Sequence, residues 1–116
     1  MDAIRISTAA EDQDVNVIHH FLSRESAWAK DIPIDIVQKS IQNSLNFGLF
    51  LHKEQIAYAR VISDFATFAY LLDVFVVKEH RGHGHSTALM SAIVSDSRLQ
   101  GLRGCSRSIK SRRLYE

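Results

Sequence analysis

From Tyr70 to Val77 the chain is almost continuously apolar and rich in β-branched and aromatic residues, with Asp73 as the one charged member. A strand without a polar face is buried on both sides. The fold must therefore cover both faces of a sheet around this segment, which excludes an open sheet with one wet face. Directly after it comes a turn holding Gly82 and Gly84, and then a helical pattern over Ser86 to Ser97 with Leu89, Ala92 and Ile93 on its buried side. The core of the fold is thus a strand, a glycine turn and a helix.

The rest of the chain supplies the neighbours. Ile4 and Ile6 alternate with Arg5 and Ser7, which reads as a short first strand. Glu11, Asp12 and Asp14 favour a helix N-terminus, and Val15, Ile18 and Leu22 repeat at helical spacing. Pro33 suits the first turn of a second helix, whose stripe is Val37, Ile41 and Leu45. Asn46 and Gly48 are read as breaking that helix. Phe47 to Leu51 and Gln55 to Ile62 then form two strands joined at His52 to Glu54. Leu99 to Ile109 has the weaker pattern of a fifth strand, and Ser111 to Glu116 begins a final helix. Strands running together and flanked by helices point to an α/β sandwich with an antiparallel portion.

Composition narrows the class. At 116 residues one domain, 1–116, is the natural count, with 103–116 as an atypical tail. Hydrophobic residues at 46% and charged residues at 23% fit an ordinary globular domain. A formal net charge of +1 does not make the molecule an electrostatic binder of nucleic acid. The lone Cys105 forms neither an internal disulfide nor a thiolate metal site by itself, so the expected setting is reducing and cytoplasmic. No apolar run approaches transmembrane length, and no signal-peptide pattern opens the chain. Arg98, Arg103, Arg107, Lys110, Arg112 and Arg113 gather late in the sequence. They read either as a solvated tail or as a basic patch facing an anionic ligand.

The glycine turn carries the chemistry. A turn from a buried strand into a helix aims backbone N–H groups outward, and the helix N-terminus adds donors and a positive dipole end. Gly82 and Gly84 let a ligand approach without a Cβ in the way. A phosphate or pyrophosphate is the expected ligand; a tight turn without one is the plain alternative. The dinucleotide fingerprint lacks its third glycine, since position 87 is Thr, and no G-K-[ST] follows for a P-loop.

Arg81-Gly82-His83-Gly84-His85-Ser86 resembles the R/Q-x-x-G-x-G/A motif of the GNAT superfamily of N-acetyltransferases, and it follows a strand of the D-V-F-V type. The resemblance extends over Phe47 to Phe50, Ala59 to Val61 and Tyr70 to Val77 as central strands. The segment His20 to Lys30, with Trp28-Ala29-Lys30, resembles one subgroup of small bacterial members. The implied fold is a mixed, mainly antiparallel sheet flanked by helices. The implied activity is transfer of acetyl from acetyl-CoA to a primary amine by direct attack. Backbone of Phe75, Val76 and Val77 is implied to pair with the pantetheine arm, with an N–H near Val76 facing the developing oxyanion. The amides of Arg81, Gly82, His83, Gly84, His85 and Ser86 are implied to bind the pyrophosphate, Ser86 standing where the family has Gly or Ala.

Two side chains are the implied catalytic candidates. Tyr115 matches the tyrosine that in many members protonates the leaving thiolate. Asp73 is the candidate for binding the amine or relaying its proton; burial in such a strand disfavours a carboxylate's charged form. Alternatively Asp73 makes a hydrogen bond unrelated to substrate, and Tyr115 is a terminal aromatic. Gly104 to Arg113 departs from the family, and the family continues past its tyrosine while this sequence stops at Glu116. The C-terminal strands are therefore expected to be incomplete, as in a truncated or altered member. The rival function is a catalytically impaired remnant that binds coenzyme A or a partner. An exposed sheet edge invites self-association, hence a homodimer as the expected assembly. His80, His83 and His85 invite a metal, but a turn and helix start splay such residues, so none is expected. His19 and His20 read as surface residues, and Trp28 as packing or lining a cleft.

Overall fold

A computed structural model describes residues 4–102 and the backbone of residues 104–107. Five strands form one sheet in chain order: β1 (Ile4–Ser7), β2 (Leu45–Leu51), β3 (Glu54–Ser63), β4 (Phe68–Val76) and β5 (Gly104–Arg107). The first four pair antiparallel and β5 joins β4 in parallel. Helices α1 (Val15–His20) and α2 (Ile34–Gln42) lie between β1 and β2 in sequence, and α3 (His85–Ser95) follows β4. This is the mixed, mainly antiparallel sheet flanked by helices that the sequence leads one to expect.

The two faces have separate cores. On one, Leu89 and Ile93 of α3 pack with Phe47, Leu49, Ala59, Val61 and Val74. On the other, Ile18, Phe21 and Leu22 meet Val37 and Ile41 of α2 over Tyr58 and Phe75. Phe21 stacks on Phe75 with ring centroids 4.1 Å apart. Both faces of β4 are thereby covered, as its apolar sequence demands.

Several boundaries differ from expectation for local reasons. Asp14 caps α1, its carboxylate accepting from the N–H of Asn16 and Val17. Glu11 and Asp12 fall in a separate 3₁₀ turn, Ala10–Asp12. After α1 the chain widens into a π-helical turn, Phe21–Glu25. Helix α2 ends at Gln42, so Leu45 is not on its stripe but opens β2. Asn46 and Gly48 are not breakers; both lie inside β2. Asn46 is buried because its side chain is fully used: Nδ2 donates to the carbonyls of Ile41 and Ser44, and Oδ1 accepts from the Tyr58 hydroxyl. Burial pushes the Tyr58 phenol well above its usual range and keeps it a neutral donor. Helix α3 stops at Ser95, where the Asp96 carboxylate turns to accept from Arg98 N–H. Among the described residues the fifth strand covers Gly104–Arg107 of the expected span, and Leu99 closes a 3₁₀ turn instead. The expected final helix from Ser111 lies outside the described residues.

Gly48 has a steric role. Buried Gln13 and Gln55 cross the sheet beside it, with Gln55 Nε2 donating to Gln13 Oε1 at 2.9 Å. A Cβ at Gly48 would run into that Oε1, and would stand 2.7 Å from Gln55 Nε2 and 2.9 Å from the Phe50 ring. Gly48→Ala is therefore expected to cost about 2 kcal/mol, in the range of overpacked cores. Urea denaturation measures this; an unchanged midpoint at unchanged slope contradicts it.

Candidate active site

Between Leu72 and Phe75 strand β4 departs from its ladder. Tyr58 pairs with Phe75 and Arg60 with Leu72, so Ala59 alone faces Asp73 and Val74. This is a β-bulge, the irregularity that re-aims side chains beside many sites. Asp73 sits in it at φ 55°, a left-handed conformation that Asp and Asn tolerate better than other side chains.

The Asp73 side chain is 7% exposed and both its oxygens are engaged. Oδ2 accepts from Arg60 Nε at 2.8 Å, and Oδ1 accepts from the Trp28 indole N–H at 3.0 Å. Arg60 Nη1 reaches on to Ser44 Oγ at 3.0 Å. Two segments thus reach the carboxylate on β4, the stretch before α2 through Trp28 and β3 through Arg60, and the turn before β2 holds Arg60 in turn. The negative charge suggested by the sequence is answered by a guanidinium rather than left alone in an apolar strand.

Beyond the bulge, Val77 N–H donates to Ile56 O at 2.8 Å. Strand alternation then directs the polar backbone groups of Phe75 and Val77 toward β3 and those of Val76 to the opposite edge. At that edge the Arg81 Nε donates to Val76 O at 2.9 Å. Among the described residues the β4–β5 pairing runs from Phe68 to Leu71. Of the three residues implied to meet pantetheine, Val76 is the one whose backbone faces away from β3.

The glycine turn begins with a 3₁₀ turn, Lys78–His80, closed by Arg81 N–H on Lys78 O at 3.3 Å. That bond occupies the Arg81 amide, so the candidate donors of the turn begin at Gly82. Gly82 and Gly84 have φ of 83° and 79°, and nothing lies within 4 Å of where their Cβ atoms would be. The space over the turn is open, and the conformation is one that glycine adopts freely. Gly84 is the N-cap of the eleven-residue α3 and gives it no side-chain cap. A helix start leaves its first N–H groups without intrahelical acceptors. This arrangement fits a pyrophosphate: backbone donors, a dipole end, and no Cβ in the approach. Ser86 is buried at the first turn.

Three imidazoles come from this turn. The His85 ring lies 6.0 Å from that of His83 and 6.5 Å from that of His80, centroid to centroid. Among the described residues no three His, Cys, Asp or Glu side chains are grouped to hold a metal ion. On the α1 side, a cleft of about 490 Å³ opens beside His80, with His20, Phe21, Gln55 and Val77 in its walls. Tyr115 lies outside the described residues. Of the late basic residues with described side chains, Arg98 pairs with Asp96 at 2.8 Å. No described helix is long and apolar enough to cross a membrane.

Arg60 and Trp28 as partners of Asp73, and Ser44 as a partner of Arg60, are not anticipated from the sequence. A signal for Arg60 was present: it is the one charged residue inside the apolar run of β3, and Asp73 the one inside β4. Opposite lone charges in adjacent central strands are expected to meet, because a buried charge needs a partner. Nothing in the local pattern pairs Trp28 with a strand 45 residues away.

Comparison with known proteins agrees with this geometry. Residues 15–116 match the acetyltransferase (GNAT) family. A protein of Gibberella zeae, named as an inferred acetyltransferase, is 29% identical over 115 aligned positions, covering 83% of this chain. The chain spans 64% of that relative's length. A crystal structure from Xanthomonas campestris pv. campestris, described as an inferred acetyltransferase of the GNAT family, is 52% identical with a TM-score of 0.90. That match covers 93% of this chain and 76% of the other. An aminoglycoside N-acetyltransferase in complex with CoA shares the fold at 15% identity, with a TM-score of 0.65 over 93% of this chain and 78% of its own. By its matched residues, its sheet and its glycine turn, the chain belongs to the acetyltransferase (GNAT) family.

Proposed function

We propose that the protein transfers an acetyl group from acetyl-CoA to a primary amine by direct attack, acting as one domain in a reducing, cytoplasmic setting. The observation that carries this reading is the Gly82–Ser86 turn, with two left-handed glycines under open space leading without a side-chain cap into α3. In this reading the amides from Gly82 to Ser86 hold the pyrophosphate, and the outward backbone of Val76 meets the thioester end. The amine lone pair attacks the thioester carbon, the C–S bond breaks, the nitrogen gives up a proton and the thiolate takes one. Tyr115 is the proposed proton donor to the thiolate; an ordinary phenol titrates near pH ~10 and holds its proton at neutrality. Asp73 serves the acceptor side as a positioning residue, fixing Arg60 and Trp28 at the bulge where the thioester ends.

The test is thiol release from acetyl-CoA with a panel of amines, run beside calorimetric binding of coenzyme A. Amine-dependent release with binding is the expected outcome. Binding without release by any amine would leave only a coenzyme A-binding module.

A further inference from the structure

We propose that the side chains of His80, His83 and His85 form part of the phosphate site, so that coenzyme A binds together with a proton. The inference rests on the coenzyme A reading above and adds side chains to a cradle otherwise made of backbone. The three residues come from successive bends: the end of the 3₁₀ turn, the position between the two glycines, and the first residue of α3. Their rings converge on His85 at 6.0 and 6.5 Å. Both open glycine positions lie between them in sequence, and the proposal seats the diphosphate beside these rings.

The neighbouring charges leave these rings as the variable element. Glu54 of β3 stands 3.8 Å from His80 Nε2. On the turn itself Glu79 lies next to Lys78, with Arg81 two residues on, and Arg81 is turned back onto Val76 O. Across the cleft His20 and Glu25 face each other at 3.5 Å. Glu54 and Glu79 thus offset Lys78 and Arg81. Without ligand, His85 is held below the usual histidine range by partial burial and then by the neighbouring His83 and His80. A diphosphate reverses the balance, because nearby negative charge favours the imidazolium. The bound state then holds more protons than the free state, so affinity rises as pH falls through the imidazole range.

Calorimetry in buffers of different ionisation enthalpy reads this directly. Dephospho-coenzyme A is the probe, since its diphosphate does not titrate near neutrality. The expected result is uptake of about one proton at about pH 6.5, and about tenfold tighter binding at pH ~6 than at pH ~8. The His80→Asn/His83→Asn/His85→Asn variant is expected to lose both the uptake and the slope. His83→Asn alone, at an exposed position, is expected to reduce them and guards against misfolding of the triple variant. Wild-type binding without proton uptake, or uptake that survives in both variants, overturns the inference while leaving the cofactor site standing. No binding of coenzyme A at any pH removes the site itself.

Discussion

Gly84→Val is expected to weaken coenzyme A binding at least tenfold, or about 1.4 kcal/mol. Two effects add. Gly84 has φ 79°, a conformation that costs a side chain with a Cβ about 1–2 kcal/mol, and valine is stiff at χ1 besides. The position is otherwise open around a Cβ, so the new side chain projects into the space that the ligand needs. The variant is therefore expected to fold, with a modest loss of stability, and to fail at binding. Calorimetry on the folded variant decides it: unchanged affinity removes the pyrophosphate from this turn.

Asp73→Asn is expected to lower turnover at least about tenfold while moving coenzyme A affinity by less than about twofold. Asparagine tolerates the positive φ at position 73 and keeps an oxygen for Trp28. What it removes is the charge that answers Arg60, whose side chain is 13% exposed. Breaking such a pair from one side costs about 3 kcal/mol, because the remaining charge is left without compensation. That is a large share of a domain's stability but does not exceed it. Arg60→Met separates the two roles. Combined with Asp73→Asn it is expected to restore part of the lost stability, since no lone charge remains, but not the turnover. Turnover that recovers with stability would make the pair purely structural, and so would equal losses in turnover and cofactor affinity.

Much of this architecture was legible because β4 is so apolar. A strand from Phe68 to Val76 with a single charge demanded helices on both faces, and the glycine turn after it announced a phosphate-binding shape. What stayed hidden depends on contacts distant in sequence. Asn46 and Gly48 look like helix breakers until Tyr58, Gln13 and Gln55 are seen to use the space around them. Periodicity extended α2 to Leu45 because strand and helix both bury that residue. The Asp73 bulge has no sequence signal, as its left-handed conformation is tolerated by Asp without a glycine to mark it. Its clamp of Arg60, Trp28 and Ser44 is assembled by pairing across the sheet and by the segments before α2 and β2. The imidazole cluster was visible as spacing, but only the fold brings the His83 and His80 rings to 6.0 and 6.5 Å from that of His85.

In the proposed reading the Gly82–Ser86 turn holds the diphosphate of coenzyme A. Titrating isotopically labelled protein with coenzyme A and following backbone amide resonances tests it most directly. The largest saturable shifts are expected at Gly82, His83, Gly84, His85 and Ser86, with smaller ones at Val76. Shifts concentrated instead at His20, Phe21 and Gln55, around the cleft beside α1, with the turn unmoved, would place the ligand elsewhere and contradict the account.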